Sequence, residues 1–433
     1  MLKLTKLPEN LFKYFVAAIL IIIPLYPKFP FIRISGTYVS VRFEDFLLAA
    51  IGILLVIEII PRIKVLFRDE IVRSIFVFLL VGALSLISGA YLTKTLDLNI
   101  GVLHLLRRVE YFIPFFAVLA LFHYDKGKNL GFYLKVLMLV VFVAFLYGVG
   151  QRYLNFPLII TQNEEYSKGI ALRWMPGSHI SSTFAGHYDL ASFMVLVLPI
   201  LISLFFVFRD KVSKAVVALV ALSGFWLLVN TISRISFVSY LFAVFTSLFL
   251  LKKYKAAILV VIISLVLSAF SSSLFARYFK VIDVYAQSSE LTETGSSVFE
   301  DRSTSIRFNV EWPRAVRALL KNPFLGTGYS SINLATDNDY LRLLGEVGII
   351  GFFAFILILF NIAKVFIGAL PLTSKFAGVE LAFITGSIGG FLGVLLNATF
   401  IDVFEASKFA TVFWLIIGYS VCLIRMKVND QKN

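Results

Sequence analysis

Residues 187–207 read His-Tyr-Asp-Leu-Ala-Ser-Phe-Met-Val-Leu-Val-Leu-Pro-Ile-Leu-Ile-Ser-Leu-Phe-Phe-Val, with no charge after Asp189. Such a run matches the roughly 20 apolar residues that an α-helix needs to cross a hydrocarbon core. Similar runs recur along the whole chain, near 10–27, 44–60, 74–92, 102–123, 132–151, 215–232, 235–251, 256–274, 339–363, 378–398 and 408–424. Together they predict an all-α, polytopic membrane protein with about 12 transmembrane helices. The first run (Phe12 to Tyr26) resembles a signal-peptide core, but no small-residue cleavage site follows it, so it reads as a retained helix.

Composition agrees with that class. Of 433 residues, 59% are hydrophobic and 15% charged, and the mean hydropathy is +0.89. A soluble chain of this length could not bury so much apolar surface. The 45 Phe and 18 Tyr suit lipid-facing and interfacial positions. A lone cysteine, Cys422, excludes a disulfide framework and a cysteine-based zinc site.

The charge pattern orients the spans. Lys3/Lys6/Lys13, Arg62/Lys64/Arg68/Arg73, Lys126/Lys128/Lys135, Arg209/Lys211/Lys214, Lys252/Lys253/Lys255, Lys364/Lys375 and Arg425/Lys427/Lys432 all fall on one side. Short loops rich in Lys and Arg stay cytoplasmic, so both termini are expected there. The net charge of +14 is thus largely an orientation signal, and no nucleic-acid partner is implied. Three regions follow: 1–274 with helices one to nine, a long external loop at 275–338, and 339–433 with the last three helices and a cytoplasmic tail.

A second external connection spans about 152–186. The longer loop starts with a polar stretch, Gln287 to Ser305, expected to be mobile. Short helices follow: Phe308, Trp312, Ala315 and Leu319 share one face, with Arg307, Arg314, Arg317 and Lys321 on another. Pro313 suits a first helical residue and Pro323 a stop. No internal repeat is evident, and no cytoplasmic domain is large enough to hold a nucleotide.

Basic residues on the external side do not serve orientation and need another reason. Arg234, in the turn Thr231-Ile-Ser-Arg-Ile-Ser, either snorkels or pairs structurally, or it grips an anion through its planar fork. Arg107 and Arg108 share a helical neighbourhood with His104 and Tyr111, and Glu110 could reach back to neutralise one of them. They form either a buried network or the wall of a polar cavity. Arg314 and Arg317 fit a solvated or headgroup-facing stripe, whereas Arg307 precedes the tryptophan turn and is the better candidate for function.

The most informative stretch is Asn322-Pro-Phe-Leu-Gly-Thr-Gly, followed by Thr336-Asp-Asn-Asp-Tyr-Leu-Arg-Leu-Leu-Gly-Glu-Val-Gly-Ile-Ile-Gly. Asp337, Asn338 and Asp339 open a membrane helix interrupted by Gly345, Gly348 and Gly351. A helix cap is one explanation. The other is a carboxylate base beside several guanidiniums, with the helix N-terminus expected to keep Asp337 ionised. His179 and His187, with Asp189 nearby, do not make a metal site. A substrate contact by His187 or Asp189 is the alternative to a structural role.

These residues resemble the O-antigen ligase and polymerase superfamily, polytopic bacterial glycosyltransferases with a large external loop near the C-terminal third. The ligase signature is a His, then Asn, Ser or Gln, nine residues, Gly, two residues, and Gly, Thr or Tyr. Asn338, Gly348 and Gly351 fit that spacing, but Asp337 stands where the His would be, as in polymerase-like members. The resemblance implies a donor glycan on undecaprenyl diphosphate, held by Arg234 and Arg307, and a glycan acceptor deprotonated by Asp337. It implies inverting transfer with no cofactor and no metal, on the extracytoplasmic side of the bacterial cytoplasmic membrane. Arg108, Arg314, Asn338, Asp339 and His187 are the further candidate substrate-binding residues. Polymerisation of lipid-linked repeat units is the leading expectation. A ligase moving the glycan to lipid, polymer or protein is second, and a transporter of lipid-linked sugars third, since notable charges gather at the surface rather than the midplane.

Overall fold

A computed structural model describes residues 9–28, 30–32, 41–60, 63–159, 171–269, 305–332 and 335–430. The polar stretch expected to be mobile lies almost wholly outside these residues.

Each predicted apolar run lies on a helix. The long helices are α1 (Glu9–Leu25), α2 (Phe43–Ile59), α3 (Glu70–Ser88), α4 (Leu98–Asp125), α5 (Leu130–Tyr153), α6 (His187–Val207), α7 (Lys211–Asn230), α8 (Arg234–Leu250) and α9 (Tyr254–Ala269). After the loop come α10 (Trp312–Lys321), α11 (Asp339–Gly368), α12 (Gly378–Asn397) and α13 (Ser407–Asp430). Among the described residues strand is limited to two tiny hairpins, Pro30–Ile32 with Val41–Arg42 and Leu158–Ile159 with Ala171–Leu172.

Among the described residues, 7 helices are long and apolar enough to cross a membrane. The architecture is therefore an all-α, multi-pass membrane protein, while the expected count of twelve is not reached on length and composition. The shortfall has a geometric cause. The apolar parts of α1, α8 and α9 (Leu11–Leu25, Arg234–Leu250 and Tyr254–Ala269) are shorter, and at 1.5 Å per residue such helices fall a few ångströms short of a roughly 30 Å core. Helix α4 is long but carries Arg107, Arg108 and Glu110.

Helix α6 forms the centre. It is buried continuously from Asp189 to Leu201, as expected of a helix apolar all round, and packs on α7, α8 and α12. Close approach by α12 depends on small residues: a Cβ at Gly386 would lie 2.4 Å from Ile200 Cα. Helix α4 packs on α13 and α2, and α11 on α3 and α10.

Helix α11 is interrupted where the sequence places its glycines. Gly348 adopts φ 69° and ψ −174°, outside helical space. The freed groups are met by the segment just after α10. Thr327 N donates to Gly345 O at 3.0 Å and Gly328 N to Glu346 O at 2.8 Å. In return Ile349 N donates to Pro323 O at 2.8 Å and Ile350 N to Phe324 O at 3.2 Å. Ser85 Oγ adds a second bond to Glu346 O at 2.7 Å. A broken membrane helix needs its backbone satisfied within the protein, and the Pro-Phe-Leu-Gly-Thr-Gly segment does this. Gly326 (φ 69°) and Gly348 are required here, because a Cβ on either would come within 2.4 Å of the facing carbonyl region.

Candidate active site

The first turn of α11 settles the roles of three adjacent polar residues. Asn338 is the N-cap, its side chain accepting from Leu341 N at 3.0 Å. Asp339 is buried and accepts from Val403 N at 2.7 Å and Phe404 N at 3.1 Å. It therefore holds the α12–α13 connection, and Asn338 and Asp339 both commit side-chain oxygens to main-chain bonds.

Asp337 does neither. Its backbone is left-handed, at φ 49°, a conformation that costs a non-glycine residue about 1–2 kcal/mol. Asp402, in the α12–α13 connection, holds it there, accepting from Thr336 N at 2.8 Å and Asn338 N at 3.0 Å. This twist turns the Asp337 carboxylate away from its own helix and onto Arg307. Oδ2 accepts from Arg307 Nε at 3.0 Å and Nη2 at 2.7 Å. Arg307 Nη2 also donates to the Tyr188 hydroxyl of α6 at 3.1 Å. Arg307 is buried and opens a π-helical turn, Arg307–Glu311, that leads into α10.

Burial raises the Asp337 carboxyl above the usual carboxylate range, Arg307 opposes that shift, and the Asp402 charge reinforces it. Cap geometry goes to Asn338, and half-buried Asp337 is ion-paired with a guanidinium instead, so Arg307 takes the place expected of the helix N-terminus in favouring its ionised form. A raised pKa makes the ionised form a stronger base.

Asp337 lines a cavity of about 550 Å³. Five cations share the lining: Lys28, Arg42, Arg107, Arg108 and Arg342. Asp189, Glu311, Asp402 and Glu405 add to Asp337 as its acids. The two signs are paired unevenly. Arg107 meets Asp45 at 2.6 Å and Glu110 at 3.1 Å. Arg108 pairs with Glu405 and donates to Phe404 O at 2.9 Å. Arg342 meets Asp402 at 3.0 Å and Glu405 at 3.3 Å. Lys28 and Arg42 are held more loosely, 3.8 Å from Asp189 and 3.9 Å from Glu44. Burial lowers Lys28 to about 8 and raises Glu311 to about 7.

Both sequence alternatives for α4 hold at once: Arg107, Arg108, His104 and Tyr111 line the cavity, and the arginines are ion-paired. Glu110 does reach Arg107. Arg234 begins α8 and is not among the lining residues. Its turn is nevertheless tied to the cavity wall: Ser233 bonds Ser236 at 2.8 Å, Ser236 donates to Asn397 at 3.0 Å, and Asn397 donates to the lining Ser192 at 2.9 Å. His187 stacks on His179 with ring centroids 3.7 Å apart, while its neighbours Tyr188 and Asp189 face the cavity. Arg314 lies on α10 and does not line it either. Thus Asp337 and Arg307 are joined, Asp337 and Arg108 line the same cavity, and Arg307, Arg234, Arg314 and His187 are not among its lining residues.

Sequence reasoning missed Asp402, Glu405, Tyr188, Lys28, Arg42 and Arg342. One signal could have found two of them. Lys28 and Arg42 fall on the side where basic residues do not serve orientation, the same rule that singled out Arg234.

The O-antigen ligase family model matches residues 219–356. Over that stretch the chain is similar to the O-antigen ligase and polymerase superfamily. The matched stretch of this superfamily runs from α7 into α11 and includes Arg234, Arg307, Asp337 and the Gly348 break. Asp402, Glu405 and the Lys28–Arg42 wall lie outside it. The similarity points to a membrane enzyme of the glycosyltransferase type. No curated protein matches the chain.

Proposed function

We propose that the protein is an extracytoplasmic, inverting glycosyltransferase that polymerises glycan repeat units carried on undecaprenyl diphosphate. One observation carries the reading: a half-buried carboxylate, held in a strained turn at the edge of a large, charge-lined cavity, meets a guanidinium. Asp337 accepts the proton of an acceptor sugar hydroxyl. The hydroxyl oxygen attacks the anomeric carbon while the carbon–oxygen bond to the diphosphate breaks, and the diphosphate leaves with that electron pair. Arg307, freed from Asp337 as the proton arrives, stabilises the charge on the departing group, a preorganised electrostatic role. Arg234 supports the same diphosphate from the α8 turn. The donor carries its own energy, so no nucleotide, cofactor or metal enters the scheme.

Orientation follows from the charge pattern. The lining residues come from the ends of α2, α4, α6, α11 and α13 that the basic loops assign to the outside. Both termini are then cytoplasmic in the bacterial inner membrane, and all twelve apolar helices span it. A ligase transferring the glycan to a different acceptor is the second reading, favoured by the description of the matched family as O-antigen ligase. Asp337 in place of a histidine favours the polymerase.

Reconstitution tests this. Purified protein receives synthetic lipid-diphosphate repeat units with EDTA and without nucleotide, and products are separated by length. A ladder is expected, reduced at least about 100-fold in Asp337→Ala, the scale of losing a positioned base. Transfer to a foreign acceptor without a ladder converts the assignment to ligase. Substrate crossing the bilayer with no new glycosidic bond overturns both.

A further inference from the structure

One wall of the cavity gathers three loosely held charges. Lys28 follows α1, Arg42 precedes α2 and Asp189 lies in the first turn of α6, each less than a tenth exposed. Their bonding capacity is largely unspent. Among the described residues neither Asp189 oxygen has a hydrogen-bond partner, and the Arg42 Nε has none. Lys28 Nζ stands 3.8 Å from Asp189 Oδ2, beyond hydrogen-bond range. Arg42 Nη1 makes a long 3.4 Å bond to Ser407 Oγ. Behind this wall both Glu44 oxygens are buried with no hydrogen bond among the described residues, Oε1 lying 3.9 Å from Arg42 Nη1. By contrast, Arg107, Arg108 and Arg342 on the other elements are matched by close carboxylates.

Buried polar atoms without partners are rare enough that each calls for an explanation. A diphosphate does not supply one, because its oxygens only accept and would meet Asp189 with Glu44 behind it. A cationic group would be repelled by Lys28 and Arg42, and an apolar chain would leave every atom unsatisfied. A sugar ring fits, since each hydroxyl both donates and accepts. Two neighbouring hydroxyls can donate to the two Asp189 oxygens, while Lys28 and Arg42 donate to hydroxyl or ring oxygens. The wall also adjoins the base: Tyr188, the residue before Asp189, bonds Arg307, which bonds Asp337.

We infer that Lys28, Arg42 and Asp189 form the subsite for the acceptor sugar, binding an uncharged polyhydroxylated ring and presenting one of its hydroxyls to Asp337. The inference rests on the proposed transfer reaction, and it assigns to Lys28, Arg42 and the start of α6 a recognition role separate from diphosphate binding.

Direct binding tests it without requiring turnover. The probe is the oligosaccharide released by mild acid from the lipid-linked glycan of the producing strain, titrated into full-length protein in nanodiscs and followed by saturation-transfer NMR. Farnesyl diphosphate is titrated in parallel. Asp189→Asn and Lys28→Gln keep the side-chain shape or length closely enough that loss of folding in one leaves the other informative. Each is expected to raise the oligosaccharide Kd about tenfold or more, the scale of a hydrogen bond to a charged group, with the farnesyl diphosphate Kd within about twofold of the unaltered protein. An unchanged oligosaccharide Kd in both variants overturns the subsite. So does absence of oligosaccharide binding by the unaltered protein at millimolar concentration. Weakening of farnesyl diphosphate by the same factor reassigns the wall to phosphate and also overturns it. Asp189-dependent sugar binding without any transfer upholds the subsite and removes the proposed reaction, whereas transfer indifferent to Asp189 does the reverse.

Discussion

Asp402→Asn isolates the device that aims the base. Asp402 accepts from Thr336 N at 2.8 Å, Asn338 N at 3.0 Å and Arg342 Nη1 at 3.0 Å. Asparagine offers one oxygen where aspartate offers two. If that oxygen keeps the Thr336 and Arg342 bonds, its amide nitrogen confronts the Asn338 N–H, donor against donor. The lost bond, to an ionised acceptor, is worth about 1.5–3 kcal/mol. That equals or exceeds the roughly 1–2 kcal/mol stored in the left-handed Asp337 backbone, so the turn relaxes and the carboxylate swings from its station. At one decade per 1.36 kcal/mol, kcat falls roughly 10- to 150-fold. The pH profile adds an independent sign. The Asp402 charge raises the Asp337 pKa, so its removal lowers it, and the acid limb of kcat moves to lower pH. Reconstituted transfer measured across pH 5–9 reads both effects, with farnesyl diphosphate affinity expected to be unchanged. A kcat within twofold of the unaltered enzyme and an unmoved acid limb would refute the positioning role.

Other substitutions probe other parts. Arg307→Gln removes the cation that holds the Asp337 pKa down, so the acid limb of activity moves to higher pH, opposite to Asp402→Asn, in the same pH series. Gly348→Ala would put a Cβ 2.3 Å from Phe324 O at a positive φ, and thermal unfolding in detergent should show a large drop in Tm or no folded protein. Glu405→Gln removes the charge shared by Arg108 and Arg342; breaking a buried pair costs about 3–5 kcal/mol, read as a lowered Tm.

The helices were legible because lipid allows a span to be apolar on every side, and the eye needs only length. Where a helix must also hold charge, as α4 does, the same rule gives the element but not its partners. Arg107 finds Asp45 62 residues away, a pairing that no periodicity encodes. The Asp337–Arg307 contact was anticipated as chemistry, but its geometry was not. Sequence spacing suggested that Asp337 caps α11, while one residue of backbone twist passes that duty to Asn338 and frees Asp337 for the cavity. Asp402 was invisible, because its role is to accept two backbone N–H groups from a segment 64 to 66 residues earlier. Asp339 looked equivalent to Asp337 by composition, and only the path of the α12–α13 connection separates them.

The stitching of residues 323–328 into the break of α11 has a consequence for protein engineering. Four main-chain bonds register one segment against the other, so a single residue inserted or deleted within 323–328 or 345–350 would put the rungs of that ladder out of register with one another. An epitope tag or reporter placed there would disable the enzyme however polar or short it was, and variation in length among homologues should be suppressed across these two stretches.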